Sequence, residues 1–147
     1  MRKLILTGLI AAFGIAGICA AQAQTVDEAI AARRAGMQLT SAALGASKRA
    51  IDAGADVKPL KSTADAIANW AKAVPGLLVA GSDKGDTRAR PEAFSDKAGV
   101  MKAAMALNAA ALKLSAAADA NDKAAFAAAF GEVGAACGGC HRAYRKK

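Results

Sequence analysis

Ile30, Met37, Leu44 and Ile51 recur every seven residues between Thr25 and about Ala53. Seven residues are two helical turns, so these side chains form one apolar stripe that needs partner helices to cover it. The same period returns three more times, and no stretch alternates with period two for long enough to make a strand. Leu60, Ala64, Ile67, Ala71 and Val74 mark a face from roughly Lys58 to Val74. Ala98, Met101, Met105, Leu112 and Ser115 mark one from about Ser95 to Ala118. Phe126, Phe130, Val133, Cys137, Cys140 and Tyr144 follow steps of four and three to near Lys146.

Local signals bound these segments. Thr25 and Glu28 are spaced as a capping box, and Gly54 lies where a glycine closes a helix. Pro59 suits a first turn, and Pro75 ends the second segment. Asn121 and Asp122 begin the fourth. Residues 75–93, "PGLLVAGSDKGDTRARPEA", form a long irregular connection with an exposed tip. Four helices with one long connection predict an all-α fold, an antiparallel four-helix bundle. Hydrophobic residues make up 54% of the chain but aromatic residues only 4%. Alanine favours helix and fills a core poorly, so a prosthetic group would supply missing apolar volume.

The N-terminus reads as an export signal. Arg2 and Lys3 precede a short apolar run from Leu4 to Ile18, and Ala21-Gln22-Ala23 is a small-x-small cleavage site. Cleavage after Ala23 leaves a domain over 24–147 in the periplasm. Ile18 argues against a lipid anchor at Cys19, at a site resembling one that wants a small residue before the cysteine. No further stretch reads as apolar enough to span a membrane. The net charge is +8, and loss of Arg2 and Lys3 leaves 18 basic against 12 acidic residues, or +6. A basic exported protein attracts an acidic protein partner rather than nucleic acid.

Export leaves Cys137 and Cys140 as the mature cysteines, and His141 is the only histidine. Cys137-Gly138-Gly139-Cys140-His141 is C-x-x-C-H, the attachment pattern for haem c. Residues i and i+3 share a helix face, so both sulfurs reach the two vinyl groups of one haem, and His141 offers the iron its proximal ligand. Gly138 and Gly139 let a flat ring lie close to the backbone. Zinc normally asks for a fourth protein ligand. A thioredoxin-like pair belongs at a helix start after a strand, and a disulfide here would close almost no loop. With the lone histidine committed to iron and no carboxylate pair standing out, nothing points to an enzyme.

One histidine excludes bis-histidine ligation. His141 lies about 9 Å from the end of its helix and Met37 about 18 Å from the start of the first. Met37 and Met101 both remain open as partners across the iron on this argument.

An exported bundle with C-x-x-C-H near its C-terminus resembles the class II cytochromes c, that is, cytochrome c-prime and its low-spin c-556 relatives. The resemblance runs from about Asp27 to Lys147. "RARPEAFSD" and "KLSAAADAND" are similar to the family's connectors, although Phe94 stands where members often carry tryptophan. The resemblance implies one covalent haem c and places Met37 where low-spin members carry their methionine ligand. It puts Arg33 near the haem propionates and Arg145 beside the proximal ligand. It implies a one-electron carrier or, with an open iron, a binder of nitric oxide or carbon monoxide. It also implies a homodimer through the first two helices.

Overall fold

The computed structural model describes residues 24–147; the signal segment 1–23 and its cleavage site lie outside the described residues. The helices are α1 (Val26–Asp52), α2 (Lys61–Ala73), the single turn α3 (Glu92–Ser95), α4 (Lys97–Asp119) and α5 (Lys123–Tyr144). The four long ones make a bundle. α4 packs against α2 and α5, and α1 leans on the same two from the opposite side. α1 and α4 are therefore diagonal to each other, as are α2 and α5.

Side chains begin and end these helices as their chemistry dictates. At α1 the Glu28 amide donates to Thr25 Oγ1 at 3.2 Å, while the Thr25 amide donates to Glu28 Oε2 at 2.8 Å. This reciprocal cap satisfies donors with no partner inside the helix. Asp96 and Asp122 cap α4 and α5, accepting from Gly99 and Ala125 at 2.9 Å each. Gly54 closes α1 at φ 60°, backbone that glycine adopts without strain.

The boundaries depart from expectation at four places. A 3-10 turn at Lys58–Leu60 precedes α2, and a second at Val74–Leu77 carries the chain through Pro75. The third long helix begins at Lys97, because the Asp96 cap separates it from α3. α5 stops at Tyr144. Arg145 is extended and bridges to Ala89, and the Lys146 amide donates to Arg88 O at 2.8 Å.

The face assigned to the third helix is corrected. Met101, Met105 and Leu112 are 49%, 65% and 50% exposed, whereas Val100, Ala104, Ala111, Leu114 and Ala118 are buried. Small residues face the neighbours and let the helices approach closely, which leaves the long side chains outside. α4 is also long and apolar enough to cross a membrane, contrary to the expectation that no further stretch was. Its contacts with α2 and α5, and its buried Leu114 and Ser115, mark it as a bundle's core helix.

The two ends of the bundle differ. At one end Val57, Ile67, Leu114, Phe126 and Val133 form a side-chain core, all at most 1% exposed. Asn108 Nδ2 donates to Ala68 O at 2.8 Å, and Ser115 Oγ donates to Asp65 Oδ1 at 2.5 Å, joining α4 to α2. At the other end the helices part around a cavity. α5 serves both ends: Phe126 and Val133 enter the core, and the C-x-x-C-H segment one or two turns later meets the cavity.

Candidate haem site

The cavity has a volume of about 570 Å³, within the range of small-molecule and cofactor sites. α5 contributes Cys137, Cys140, His141 and Tyr144 to one wall. α4 contributes Val100, Ala103, Ala104 and Leu107. α1 brings Arg33, Arg34, Met37 and Leu44, and α2 brings Trp70 and Ala71. The connection closes the rim with Asp86, Thr87 and Arg88. The lining is mostly apolar, with basic groups concentrated at the rim.

The spacing of the motif explains why its three side chains open on one space. Residues 137, 140, 141 and 144 fall on one face of α5. Both thiols are free and half-buried. Burial pushes the Cys137 thiol up, with Cys140 adding to the effect, and burial alone pushes Cys140 up. Raised thiols stay protonated at neutral pH, unlike the low-pKa thiolates of redox pairs. Burial, then Arg145 and Arg88, pushes His141 down, so its imidazole is neutral and has a nitrogen lone pair to offer a metal.

Past His141 the chain is held firmly. Tyr144 Oη donates to Asp96 Oδ2 at 2.6 Å, and Arg90 N donates to Tyr144 O at 2.9 Å. The hydrogen bond to Asp96, then burial, raises the Tyr144 hydroxyl to about 12. The Tyr144 and Gly99 donors hold the Asp96 carboxyl below its usual range. α5 is thereby tied to the start of α4 one turn after His141.

Met37 is 39% exposed and lines the cavity from α1. Met101 and Met105 do not line it. Arg145 lines it too, beside His141. Arg33 reaches the wall of the cavity, but its donors are already engaged. Nη1 donates to Leu77 O at 2.6 Å and to Ser82 Oγ at 2.7 Å. Nη2 donates to Ser82 O at 2.6 Å and to Thr87 Oγ1 at 3.2 Å. Its guanidinium also lies 5.7 Å from the centre of the Phe94 ring, a cation–π distance. Arg33 is the clamp that docks the connection on α1.

The sequence reading passed over several groups at the site. Arg34, with its side chain half exposed, lines the cavity and pairs with Asp86. Arg88 also reaches the cavity and acts on His141. Ser82 lies in the irregular connection and is fully buried beneath Arg33. Trp70 rests on Gly36, where a Cβ would collide with its ring. One sign was available: a glycine inside a long helix usually has a packing reason.

The donor set suits a haem. Two neutral thiols and a neutral imidazole share the wall of a mostly apolar cavity. Among the described residues no group of three or more His, Cys, Asp or Glu side chains could hold a metal ion. A zinc site would require such convergence. Trp70 lines the cavity with part of its side chain, while its indole Nε1 is buried without a hydrogen-bond partner. A helical bundle with C-x-x-C-H on a cavity wall defines the class II c-type cytochromes.

A family model described as cytochrome c' matches residues 28–145. The cytochrome c' of Allochromatium vinosum is 34% identical over 141 residues, covering 92% of each chain. That of Alcaligenes xylosoxydans xylosoxydans is 49% identical over 78 residues, a match spanning 53% of this chain and 56% of that protein. The crystal structure of cytochrome c' from Thermochromatium tepidum superposes with a TM-score of 0.79 at 33% identity, covering 85% of this chain and all of that one. The chain belongs to the cytochrome c' family, and with it carries one covalent haem c.

Proposed function

We propose that this chain is an exported one-electron carrier whose haem c is held by thioethers to Cys137 and Cys140. His141 from α5 and Met37 from α1 would hold its iron. The observation that carries this reading is the cavity itself. It gathers both thiols, the histidine and, of the three methionines after residue 23, Met37 alone. When bound, the haem supplies an iron that gains and loses one electron. Thioether ligation favours its reduced state.

The protein's own groups prepare that site. Burial and the Arg145 and Arg88 charges keep His141 neutral and ready to ligate. The Tyr144–Asp96 hydrogen bond fixes the end of α5. Arg145 and Arg88 at the rim, with a net charge of +6 once Arg2 and Lys3 are removed, suit propionates inside and an acidic electron partner outside. The leader places the chain in the periplasm, with residues 24–147 as the mature domain. No enzymatic chemistry belongs to this reading.

A second reading is reversible binding of small gases. Structures of the Alcaligenes xylosoxidans cytochrome c' contain nitric oxide or carbon monoxide, at 31% and 32% identity to this chain. Met37 is unbranched and partly exposed, so it could swing aside for such a ligand. One similar cytochrome c' structure has a ligand-controlled dimer dissociation, which supports a homodimer here.

Absorption spectra of the reduced and oxidised holoprotein, with and without carbon monoxide, decide between the readings. Low-spin bands indifferent to the gas, becoming high-spin in Met37→Ala, support the carrier. High-spin bands in the parent that shift with carbon monoxide support gas binding and remove Met37 as a ligand.

A further inference from the structure

α1 has no buried side chain between Arg33, which is held by the connection, and Leu44, which packs on the side-chain core. Met37 lies inside this span and lines the cavity. What fixes α1 here is a contact at the residue before it. The Trp70 ring from α2 lies against Gly36, so closely that a methyl there would collide with Cη2, Cζ3 and Cζ2. Trp70 lines the cavity with part of its side chain, and α2 stands diagonally across from α5, which carries His141. Gly36 and Trp70 thus meet at the corner of the cavity that holds Met37.

Glycine weakens a helix interior relative to alanine, so its use at 36 in an alanine-rich helix has a packing reason. The indole cannot simply tip aside. It is rigid, its Nε1 is buried, and no hydrogen bond holds that atom, so shape alone fixes the ring. A side chain at 36 therefore displaces α1, and Met37 with it. Thr40 Oγ1 donates to Gly36 O at 2.8 Å, which ties together the turn containing Met37.

We propose that Gly36 is a positioning residue: by admitting the Trp70 ring to the α1 backbone, it sets how far the Met37 side chain reaches over the iron. This rests on the haem placement proposed above. Through Met37 the same contact sets the balance between a closed and an open iron.

The carbon monoxide affinity of the reduced holoprotein reads that reach, because a retreating thioether leaves the iron more open. Gly36→Ala should raise the affinity about tenfold. It should also weaken any methionine–iron charge-transfer band of the oxidised protein. In the Met37→Ala background the same substitution should leave the affinity within about twofold, because no thioether remains to be moved. Trp70→Leu added to Gly36→Ala removes the colliding ring and should restore the parent affinity. Gly45→Ala, on the same helix with only Arg49 Nη1 at 3.6 Å, should change nothing.

An affinity unchanged by Gly36→Ala overturns the proposal, as does an equal rise in both backgrounds or no recovery with Trp70→Leu. A lowered affinity overturns it too, since the ring would then have turned into the cavity. If Gly36→Ala yields no folded protein, Trp70→Leu alone takes its place. Its effect on affinity should vanish in the Met37→Ala background, and no effect, or an equal one in both backgrounds, overturns the proposal. The reading beneath fails separately: a protein without haem bands, or a parent and Met37→Ala of equal affinity, removes Met37 from the iron before Gly36 is changed.

Discussion

Arg33→Met tests how the cavity is closed. Arg33 is 7% exposed and no carboxylate pairs with it; its donors go to Leu77 O, Ser82 Oγ, Ser82 O and Thr87 Oγ1. Ser82 Oγ keeps a bond to Val79 O at 2.8 Å, and Thr87 Oγ1 keeps the Ala89 amide at 3.2 Å. The variant therefore strands two carbonyls, at about 1–3 kcal/mol each. Methionine fills much of the same volume, and removing a desolvated cation recovers part of the loss. The net cost is about 2–4 kcal/mol, borne by the connection rather than by the distant core. Limited trypsin digestion reads this directly, because Lys84 is exposed on that connection. Cleavage at Lys84 should become much faster, and the urea midpoint should fall. Arg33→Lys keeps the charge without the fork and should recover only a small part. A digestion rate equal to the parent's, or full rescue by lysine, would refute the clamp and return Arg33 to a simple charge beside the propionates.

Two further outcomes follow from the packing. Phe126 is fully buried in the core away from the cavity, so Phe126→Ala should cost about 3–5 kcal/mol in denaturant unfolding while leaving the haem spectrum of the folded protein unchanged. Tyr144→Phe removes the bond to Asp96, with a pH signature of determined sign. The Asp96 carboxyl lies below its ordinary value, so its contribution exists above about pH 4 and fades as pH falls through the lowered value. The Tyr144 hydroxyl is raised to about 12, so its contribution exists below its ordinary value and is lost as pH climbs toward 12. Thermal scans at acidic, neutral and strongly alkaline pH should show Tyr144→Phe less stable than the parent only in the middle of that range.

Much of this molecule was legible because the informative residues differ sharply from their neighbours. Thr25 with Glu28, and the 137–141 motif, carry chemistry that alanine cannot imitate. The α5 stripe was readable for the same reason, since phenylalanine, valine and cysteine stand out from small neighbours. α4 misled because nearly all of it is apolar. Alanine is neutral between inside and outside, so the eye follows methionine and leucine, which here face solvent. Arg33 lines the cavity, but its partners are 44 to 54 residues away on an irregular connection, where no period announces them. Trp70 and Gly36 had the same difficulty: their meaning lies in a contact between two helices.

The most direct test of the account is a peptide mass spectrum of the protein purified from a host able to attach haem c. The peptide bearing Cys137 and Cys140 should carry the mass of one haem, with both thiols consumed and no haem lost to acidified organic solvent. Free thiols or a Cys137–Cys140 disulfide on that peptide, or haem that extracts freely, would contradict the central claim.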